Sequence, residues 1–351
     1  MNRFSLWLDE RLHLSTLIQF LSRKSVPRHK HSFWYIFGGL ALFFFLVQLI
    51  TGVLLLLYYS PTPETANESV RFIESQVPYG WFVRSLHAWS ANLMVATVLV
   101  HLFSTYFMRA YRRPRELMWV SGLTLLLVVL GFGFTGYLLP WDTTAYFATQ
   151  IGTEIPRTIP VIGELVVQIL RGGDYIAGES LKRLFALHVA ILPLVSLGLI
   201  GLHLTLNQVH GTSIPIGVTP ARPGIPFFPN YVYRDMIAWT LGLMLLLYLS
   251  ILFPVKLGDK VDPLASAPLG IKPEWYFLTL YETLRLVPGM ILGISSEAVV
   301  NVGVVAVILT AFLIPFLDQA AGLGRSNRLF TVLGLIAIAY MIVAVSLAYL
   351  T

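Results

Sequence analysis

Residues 85–108 read SLHAWSANLMVATVLVHLFSTYFM, and residues 184–206 read LFALHVAILPLVSLGLIGLHLTL. Each stretch is long and apolar enough to cross a lipid bilayer as one helix, which takes about 20 residues. Neither contains an Asp, Glu, Lys or Arg, but each contains two histidines. Ionisable side chains are costly inside a membrane, so histidines at such positions are candidate functional residues. These two segments predict both the fold and the chemistry.

Further apolar stretches of similar length indicate that the whole chain is an integral membrane protein. Hydrophobic residues make up 56% of the sequence and charged residues 12%, against about 25% charged residues in soluble domains. The predicted fold class is an all-α membrane bundle of seven transmembrane helices, which we name spans A to G in chain order. The five spans besides B (85–108) and D (184–206) are A at 32–58, C at 117–139, E at 236–253, F at 298–317 and G at 329–350.

The distribution of charge predicts how the chain is oriented in the membrane. Residues 1–31 are too interrupted by charge to be a signal peptide, and we expect an amphipathic helix at the lipid headgroups instead. The loops on the amino-terminal side carry 14 Lys or Arg and 5 acidic residues, whereas the opposite side carries 10 and 13. By the positive-inside rule the amino terminus faces the cytoplasm. The net charge of +6 thus reflects topology and does not indicate nucleic-acid binding.

The four histidines of spans B and D form two pairs at matched depths. His87 is followed by His101 after a 14-residue step, and His188 by His203 after a 15-residue step. Steps of this length close to within about 40–60° of four helical turns, so each same-helix pair lies on one face, about 21–23 Å apart. Spans B and D run in the same direction, which brings His87 level with His188, and His101 level with His203. Two facing imidazoles can fill both axial positions of a haem iron, an arrangement suited to electron transfer.

Other interpretations of these histidines are weaker. A single intramembrane histidine is most often a hydrogen-bonded contact between helices, but four at paired depths are hard to explain in that way. Zinc is also a poorer fit, because about 21 Å separates the histidines of one helix. The sequence has no cysteine, which excludes disulfides, thiolate metal sites, iron–sulfur clusters held by this chain and covalent c-type haem.

Arginines and glycines add support to the haem interpretation. Arg84 and Arg183 precede His87 and His188, where they are candidate partners for haem propionates or ordinary arginines at the membrane interface. Spans A and C each repeat a glycine at a 14-residue interval, which would let flat macrocycles approach the backbone, although glycine also serves ordinary helix packing. These glycines are Gly38, Gly52, Gly122 and Gly136.

With these motifs the chain resembles cytochrome b of the cytochrome bc1/b6f family, from about Ser32 to its end. The b6-type branch is the more similar one, although that branch commonly divides the polypeptide after span D and here it is continuous, which favours a bacterial fused form. The b6 type also carries a c-type haem on a Tyr-Cys-x-Gly-Gly segment, and this chain has Ile36 in the cysteine position. The matching segments are the glycine repeat of span A, Gly80-Trp-Phe-Val-Arg-Ser-Leu-His87, Gly136-Tyr-Leu-Leu-Pro-Trp141, Arg183-Leu-Phe-Ala-Leu-His188 and Pro273-Glu-Trp-Tyr276.

The resemblance implies a di-haem subunit of a quinol:cytochrome c (or plastocyanin-type) oxidoreductase, with two non-covalent haem b groups held within the first four spans. His87 and His188 would ligate the outer haem iron, and His101 and His203 the inner one. Quinol would be oxidised near the outer surface and quinone reduced near the inner one, coupled to proton translocation.

The resemblance also implies two quinone sites. Glu274 would accept a quinol proton at the outer site, lined by Tyr137 and Tyr281; the alternative is that Glu274 caps a short helix. Ile225-Pro-Phe-Phe-Pro229 and the following Arg234 and Asp235 resemble the segment that contacts the reducible quinone, with Asp235 as proton donor. Asp235 could instead be the N-cap of span E.

Partners and domains follow from the same resemblance. It implies a Rieske-type iron–sulfur protein, a c-type cytochrome subunit, a homodimer, membrane lipid and a bacterial cytoplasmic membrane. The predicted domains are the surface leader at 1–31, a four-helix di-haem domain at 32–210 and a three-helix domain at 211–351. The alternatives are a di-haem membrane anchor of another quinone-linked oxidoreductase, which would not need the Pro-Glu-Trp-Tyr motif, and a transporter with a histidine proton relay, which would bind no haem.

Overall fold

The computed structural model describes residues 3–22, 24–291 and 293–350, and most of them are helical. Seven helices among these described residues are long and apolar enough to cross a membrane, which confirms the predicted number of spans. Spans B, D and E begin before their predicted starts, because helical turns with polar residues lead into each apolar run. The bounds of spans A to G are Ser32–Leu56, Gly80–Phe107, Glu116–Tyr137, Gly178–His210, Phe227–Leu252, Ser296–Gly322 and Arg328–Leu350.

Shorter elements lie between the spans. The predicted leader helix is instead two helices, Arg3–Leu12 and Leu14–Ser22, divided at His13, whose φ of 49° is left-handed. The C–D loop contains short helices, and the E–F loop contains others. These helices are Ala66–Ser75 before span B, Thr143–Glu154, Ile155–Thr158 and Gly163–Arg171 in the C–D loop, Trp275–Phe277 and Leu278–Leu286 in the E–F loop, and Gln319–Gly322 at the end of span F.

Two small antiparallel sheets within the described part of the chain were not predicted from the sequence. Strand β1 (Ser25–Arg28) pairs with β2 (Ala221–Pro226), and β3 (Met290–Ile291) pairs with β4 (Ile294–Ser295). The first sheet ties the end of the leader to the D–E loop, because Val26 lies opposite Ile225. The leader is therefore joined to the bundle through its last residues.

The first four spans form two helical hairpins. Span A packs along span B, and span C packs along span D. Halfway between the two histidine depths the bundle is filled with apolar side chains, including the buried Phe45 of span A, Met94 of span B and Val129 of span C. Each of these lies midway along its own helix between the two spaced glycines or the two histidines. A packed apolar layer therefore separates the two levels.

Span D departs from a regular α-helix around His188. Leu187–Ile191 is π-helical, and the Leu192 N–H donates to the carbonyl of Leu187, five residues earlier. Pro193 follows immediately and has no N–H to donate to the carbonyl four residues before it. A π-helical turn holds one residue more than an α-helical turn. The 15-residue step to His203 therefore returns to the face that a 14-residue step reaches in span B, although in a regular α-helix it would pass four turns by about 60°.

A buried polar cluster joins the C-terminal half to the first four spans. Arg109 of the B–C loop lies 3.3 Å from Asp318 at the end of span F, and the two side chains are 3% and 0% exposed. Tyr111 donates a hydrogen bond of 2.7 Å to the same carboxylate, and Arg109 also donates to Thr331 of span G at 2.8 Å. This cluster therefore connects the two halves of the chain on the side of the bundle where the amino terminus lies.

Candidate functional site

Each of the four histidines lies against a glycine of the neighbouring span. A Cβ atom added to the glycine would come within 2.6–3.3 Å of Cε1 of the histidine ring in every case. These separations are shorter than ordinary van der Waals contact, so larger residues would displace the rings. The pairs are Gly52 with His87, Gly38 with His101, Gly136 with His188 and Gly122 with His203.

His87 and His188 face each other across the bundle. Their ring centroids are 6.3 Å apart, with 69° between the ring planes. A metal–imidazole bond is about 2.0–2.1 Å long, so two imidazoles on opposite sides of one metal ion have their centroids about 6 Å apart. At the other level, His101 and His203 lie within electrostatic range of each other. Each level therefore offers one pair of imidazoles, one from span B and one from span D.

Hydroxyl groups orient three of the four rings. Thr51 donates its proton to the carbonyl of Val47 and lies 2.9 Å from His87 Nδ1, so its oxygen accepts from that nitrogen. Thr135 lies in the same way 3.1 Å from His188 Nδ1, after donating to the carbonyl of Gly131. The hydrogen-bond network therefore assigns the proton to Nδ1 in each ring, which leaves the Nε2 lone pair free for a metal.

Ser121 serves the third ring in the same way. It donates to the carbonyl of Met118 and accepts from His203 Nδ1 at 2.9 Å. Sequence reasoning missed these hydroxyl residues, although a signal was present: three of the four spaced glycines follow a Ser or Thr. The fourth follows Phe37, and His101 Nδ1 correspondingly has no hydrogen-bond partner among the described residues. Hydrogen bonds of this kind fix the tautomer and the orientation of a metal-binding histidine.

The two arginines near the outer histidines have protein partners. Arg84 forms an ion pair with Glu74 and donates to the carbonyl of Val255 at 2.9 Å. Arg183 is exposed and donates to the carbonyls of Gln168 and Ile169. Both lie about one helical turn before a histidine, as the sequence predicted, and their role toward propionates stays a prediction.

A cavity of about 310 Å³ lies beside the outer histidine pair. Span C, the C–D loop, the E–F loop and span F all contribute to its lining, and Tyr137, Glu274 and Tyr281 are all part of it, as expected if they share a site. The walls are mainly apolar, and Glu274 is the charged residue among the described lining residues. Span C supplies both Gly136, against His188, and Tyr137, in the cavity wall, so the cavity adjoins the histidine pair.

The Pro-Glu-Trp-Tyr segment is held between spans B and C. Trp275 donates a hydrogen bond of 2.7 Å to Asn92, and the Tyr276 ring lies so close to Gly133 that a Cβ there would be 2.5 Å from its hydroxyl. Glu274 is the N-cap residue of the helical turn Trp275–Phe277, and its backbone carbonyl accepts from the Phe277 N–H at 2.8 Å. Its side chain caps no N–H among the residues that the structure describes, so the alternative of a capping carboxylate is wrong. Burial raises the pKa of the Glu274 carboxyl.

Asp235 lies at the amino-terminal end of span E, close to the other histidine level. A Cβ on Gly39 would be 3.3 Å from its Oδ2, and Gly39 is next to Gly38, which contacts His101. The helix Val232–Leu252 has Tyr231 as its N-cap, so the interpretation of Asp235 as an N-cap is wrong. Its Oδ1 is buried and has no hydrogen-bond partner in the described chain. Arg234 is exposed and, being the adjacent helical residue, points about 100° away from Asp235.

The fold and the site define a multi-pass helical membrane protein whose first four spans hold facing histidines at two levels. The family model described as cytochrome b/b6/petB matches residues 21–211, and that of cytochrome b (C-terminal)/b6/petD matches residues 260–351. The chain belongs to the cytochrome b/b6 family. Membership in this family implies haem b as a cofactor.

Proteins similar to this chain include one that is longer than it and one that corresponds to only part of it. The chain is 47% identical to a cytochrome bc complex cytochrome b subunit of Chlorobaculum thiosulfatiphilum, over 96% of this chain and 78% of that protein. It is 42% identical to cytochrome b6 of Cyanidium caldarium, over 62% of this chain and 100% of that protein. Its structure is similar to a chain of a hyperthermophilic respiratory Complex III, with a TM-score of 0.86 and 31% identity, over 98% of this chain and 90% of that one.

Proposed function

We propose that the chain is the di-haem cytochrome b subunit of a quinol:cytochrome c (or plastocyanin-type) oxidoreductase. The observation that carries this proposal is the pairing of glycine-backed histidines at two levels, with an acid-bearing cavity beside one of them. Membership in the cytochrome b/b6 family supports it. We place the protein in a bacterial cytoplasmic membrane with its amino terminus in the cytoplasm, which the charge distribution supports.

The residues present fit two haem b groups. His87 and His188 would hold one group, and His101 and His203 the other, each through Nε2. The four glycines leave room beside each ring that a side chain would fill. When bound, haem b supplies one-electron transfer between the two faces of the membrane. The hydroxyls of Thr51, Thr135 and Ser121 keep Nδ1 protonated, which orients the rings for this role.

At the outer site the chain binds quinol and removes its protons. The apolar walls of the cavity suit a lipid-soluble quinol ring and exclude water from it. Glu274 accepts a quinol proton, and its raised pKa brings it closer to the pKa of a useful base. Tyr137 and Tyr281 position the ring. Quinol oxidation yields quinone, two protons and two electrons, so a Rieske-type iron–sulfur protein and a c-type cytochrome are needed as partners for one of the electrons.

At the inner site Asp235 is the proton donor to quinone. Its Oδ1 is buried next to span A and has no partner within the described residues, so it is available to a ligand. Arg234, which is exposed, would attract the anionic groups that arise there. Like other members of its family, the chain would work as a homodimer in which protein and lipid surround the bundle.

A pyridine haemochrome assay on the purified protein tests the proposal. The expected result is two b-type haems per chain in the wild type, and one in His188→Gln, with His13→Gln as the control because that histidine lies in the exposed leader. A well-folded preparation without haem would overturn the proposal and revive the transporter. If two haems are found, a stigmatellin-type inhibitor distinguishes the two remaining functions. It blocks a quinol-oxidising subunit and does not block a di-haem membrane anchor.

A further inference from the structure

A hydrogen-bonded histidine–tyrosine pair lies at the amino-terminal side of the bundle, outside the sites described above. His29 Nε2 is 2.5 Å from the hydroxyl of Tyr35, and that hydroxyl donates to the carbonyl of Ser213 at 2.7 Å. The contact joins the segment after β1, the start of span A and the D–E loop. His29 is half-buried between the exposed Arg28 and Lys30, so one side of its ring is close to the surface.

The directions of these hydrogen bonds can be assigned. The backbone N–H of His31 donates to His29 Nδ1 at 3.1 Å, so Nδ1 is an acceptor and the ring proton of neutral His29 is on Nε2. Nε2–H therefore donates to the Tyr35 oxygen, and the Tyr35 proton points onward to Ser213. His29, close to the surface, therefore donates to Tyr35, and Tyr35 in turn is a donor at the membrane boundary. Burial, with a smaller effect from His31, lowers the pKa of His29, which favours this neutral ring.

The pair leads toward Asp235. Tyr35 and Gly39 are four residues apart on span A and share one helix face, and Gly39 is the residue that Asp235 contacts. Tyr231 is likewise four residues before Asp235 on span E. Tyr231 lies within electrostatic range of both Asp235 and Tyr35. The backbone of Tyr35 is thus about one helical turn, roughly 6 Å of helix rise, from that of Gly39, which contacts the buried carboxylate.

We propose that His29 and Tyr35 form the proton entry to the inner quinone site, delivering protons from the cytoplasmic surface toward Asp235. The inference rests on the proposed function. In each transfer a surface water first protonates His29 at Nδ1, displacing the N–H of His31, so that Nε2 can release its proton to the Tyr35 oxygen without forming an imidazolate. The Tyr35 proton then passes toward Asp235, and exchange with water returns the ring to its Nε2-protonated form. Only N–H and O–H bonds change, and the electrons for quinone are those that the proposed function supplies. The Tyr35 O–H can point either to the Ser213 carbonyl or toward Asp235, because it rotates about its C–O bond.

The surroundings of the pair are mainly basic. Arg112 and Arg115 of the B–C loop lie near the Tyr35 hydroxyl, and His31 lies near His29. On the opposite side the facing groups are Tyr231, Asp235 and Arg234 of span E. The guanidinium groups disfavour a positive charge on the relay, so the proton moves on toward the carboxylate.

The test uses the intact complex and measures the two quinone reactions separately. Quinol oxidation is followed as haem b reduction in the presence of an antimycin-type inhibitor of the inner site. Quinone reduction is followed as haem b reoxidation without the inhibitor, from pH 6 to 9. The variants are Tyr35→Phe and His29→Gln, and the control is Tyr233→Phe, an exposed tyrosine (60%) at the same end of span E.

Tyr35→Phe and His29→Gln are expected to slow reoxidation about 10²-fold at pH 8, at the lower end of the about 10²–10⁴-fold range typical of a lost proton donor. The defect should shrink at pH 6, where protons are abundant, and the double variant should be no slower than the slower single one because the groups act in series. Wild-type reoxidation in both variants, or a loss that is independent of pH and includes quinol oxidation, would overturn the inference. Absence of quinol-driven haem reduction in the wild type would instead refute the proposed function.

Discussion

Replacing Gly136 by alanine should remove the outer haem and leave the inner one in place. The new Cβ would lie 2.6 Å from His188 Cε1, well inside the 3.4 Å at which ordinary contact begins. The ring cannot easily retreat, because its Nδ1 is bonded to Thr135 and Phe132 packs against it in a T-shaped arrangement at a centroid distance of 5.5 Å. A metal–ligand distance tolerates a displacement of only about 0.2 Å, and the overlap is several times larger. His188 therefore loses its ligand position.

The other three glycines give a graded series for the same reasoning. The added Cβ would lie 3.0 Å from the histidine ring at Gly38, 3.2 Å at Gly122 and 3.3 Å at Gly52, so each overlap is smaller than the one before. Haem loss should follow that order, with alanine at position 136 the most damaging and at position 52 the least. The Gly52 variant is the most informative comparison, since it alters the same histidine level as Gly136.

The variants should remain folded, so that haem loss is not a secondary effect. Crowding a packed site costs about 1–3 kcal/mol, and alanine returns about 1 kcal/mol of helix propensity. Gly198→Ala is the matched control, because it lies in span D and nothing is within 4 Å of the added Cβ. Haem per chain is counted by pyridine haemochrome, and redox titration identifies which haem remains.

Retention of both haems in Gly136→Ala, at the level seen for Gly52→Ala, would refute the reasoning. So would loss of the inner haem in preference to the outer one, because the contact at Gly136 is with His188. Loss of haem in Gly198→Ala would show that any alanine in the bundle disturbs it and that the close contacts are not responsible.

Three further changes test other parts of the site. Thr135→Val removes the acceptor of His188 Nδ1–H and should weaken retention of the outer haem about 10–100-fold and shift its midpoint potential. Glu274→Gln should slow quinol oxidation about 10²-fold. In the wild type the rate of quinol oxidation should rise with pH, because only the deprotonated carboxylate accepts a proton. The rise should occur at higher pH than the titration of an exposed glutamate, because burial raises the pKa of Glu274. Asp318→Asn should lower stability by about 3–5 kcal/mol, since Arg109 keeps a buried charge, which thermal unfolding measures.

Each of these has an outcome that contradicts it. Unchanged potential and haem content in Thr135→Val would mean that the hydroxyl does not set the tautomer. A Glu274→Gln variant that keeps the wild-type pH dependence would exclude Glu274 as the base. For Asp318→Asn, the control is Glu116→Gln, whose partner Arg113 is 86% exposed and whose loss should cost about 1 kcal/mol or less; equal losses in both variants would refute the special role of the buried pair.

Much of the architecture could be predicted because the bilayer limits the possible structures. Spans of fixed length with few charges can be recognised directly in the sequence. The interval between His87 and His101 gives the relative depth of the two histidines and the helix face they share from geometry alone. The grouping of Tyr137, Glu274 and Tyr281 in one cavity depended on the family resemblance, since isolated tyrosines near a membrane surface are ordinary features. That neither the Glu274 nor the Asp235 side chain caps its helix could be learned only from the structure.

The sequence by itself determined the seven spans, the two histidine levels and the spaced glycines, because these are periodic properties within single helices. The tertiary structure alone decided which glycine meets which histidine, which hydroxyl orients each of His87, His188 and His203, and how His29 reaches Tyr35. The same holds for the contact of Arg109 in the B–C loop with Asp318 at the end of span F. The physical reason is that a helix fixes the direction of its own side chains, whereas the packing of separate helices, and the π-helical turn at His188, fix which of them meet.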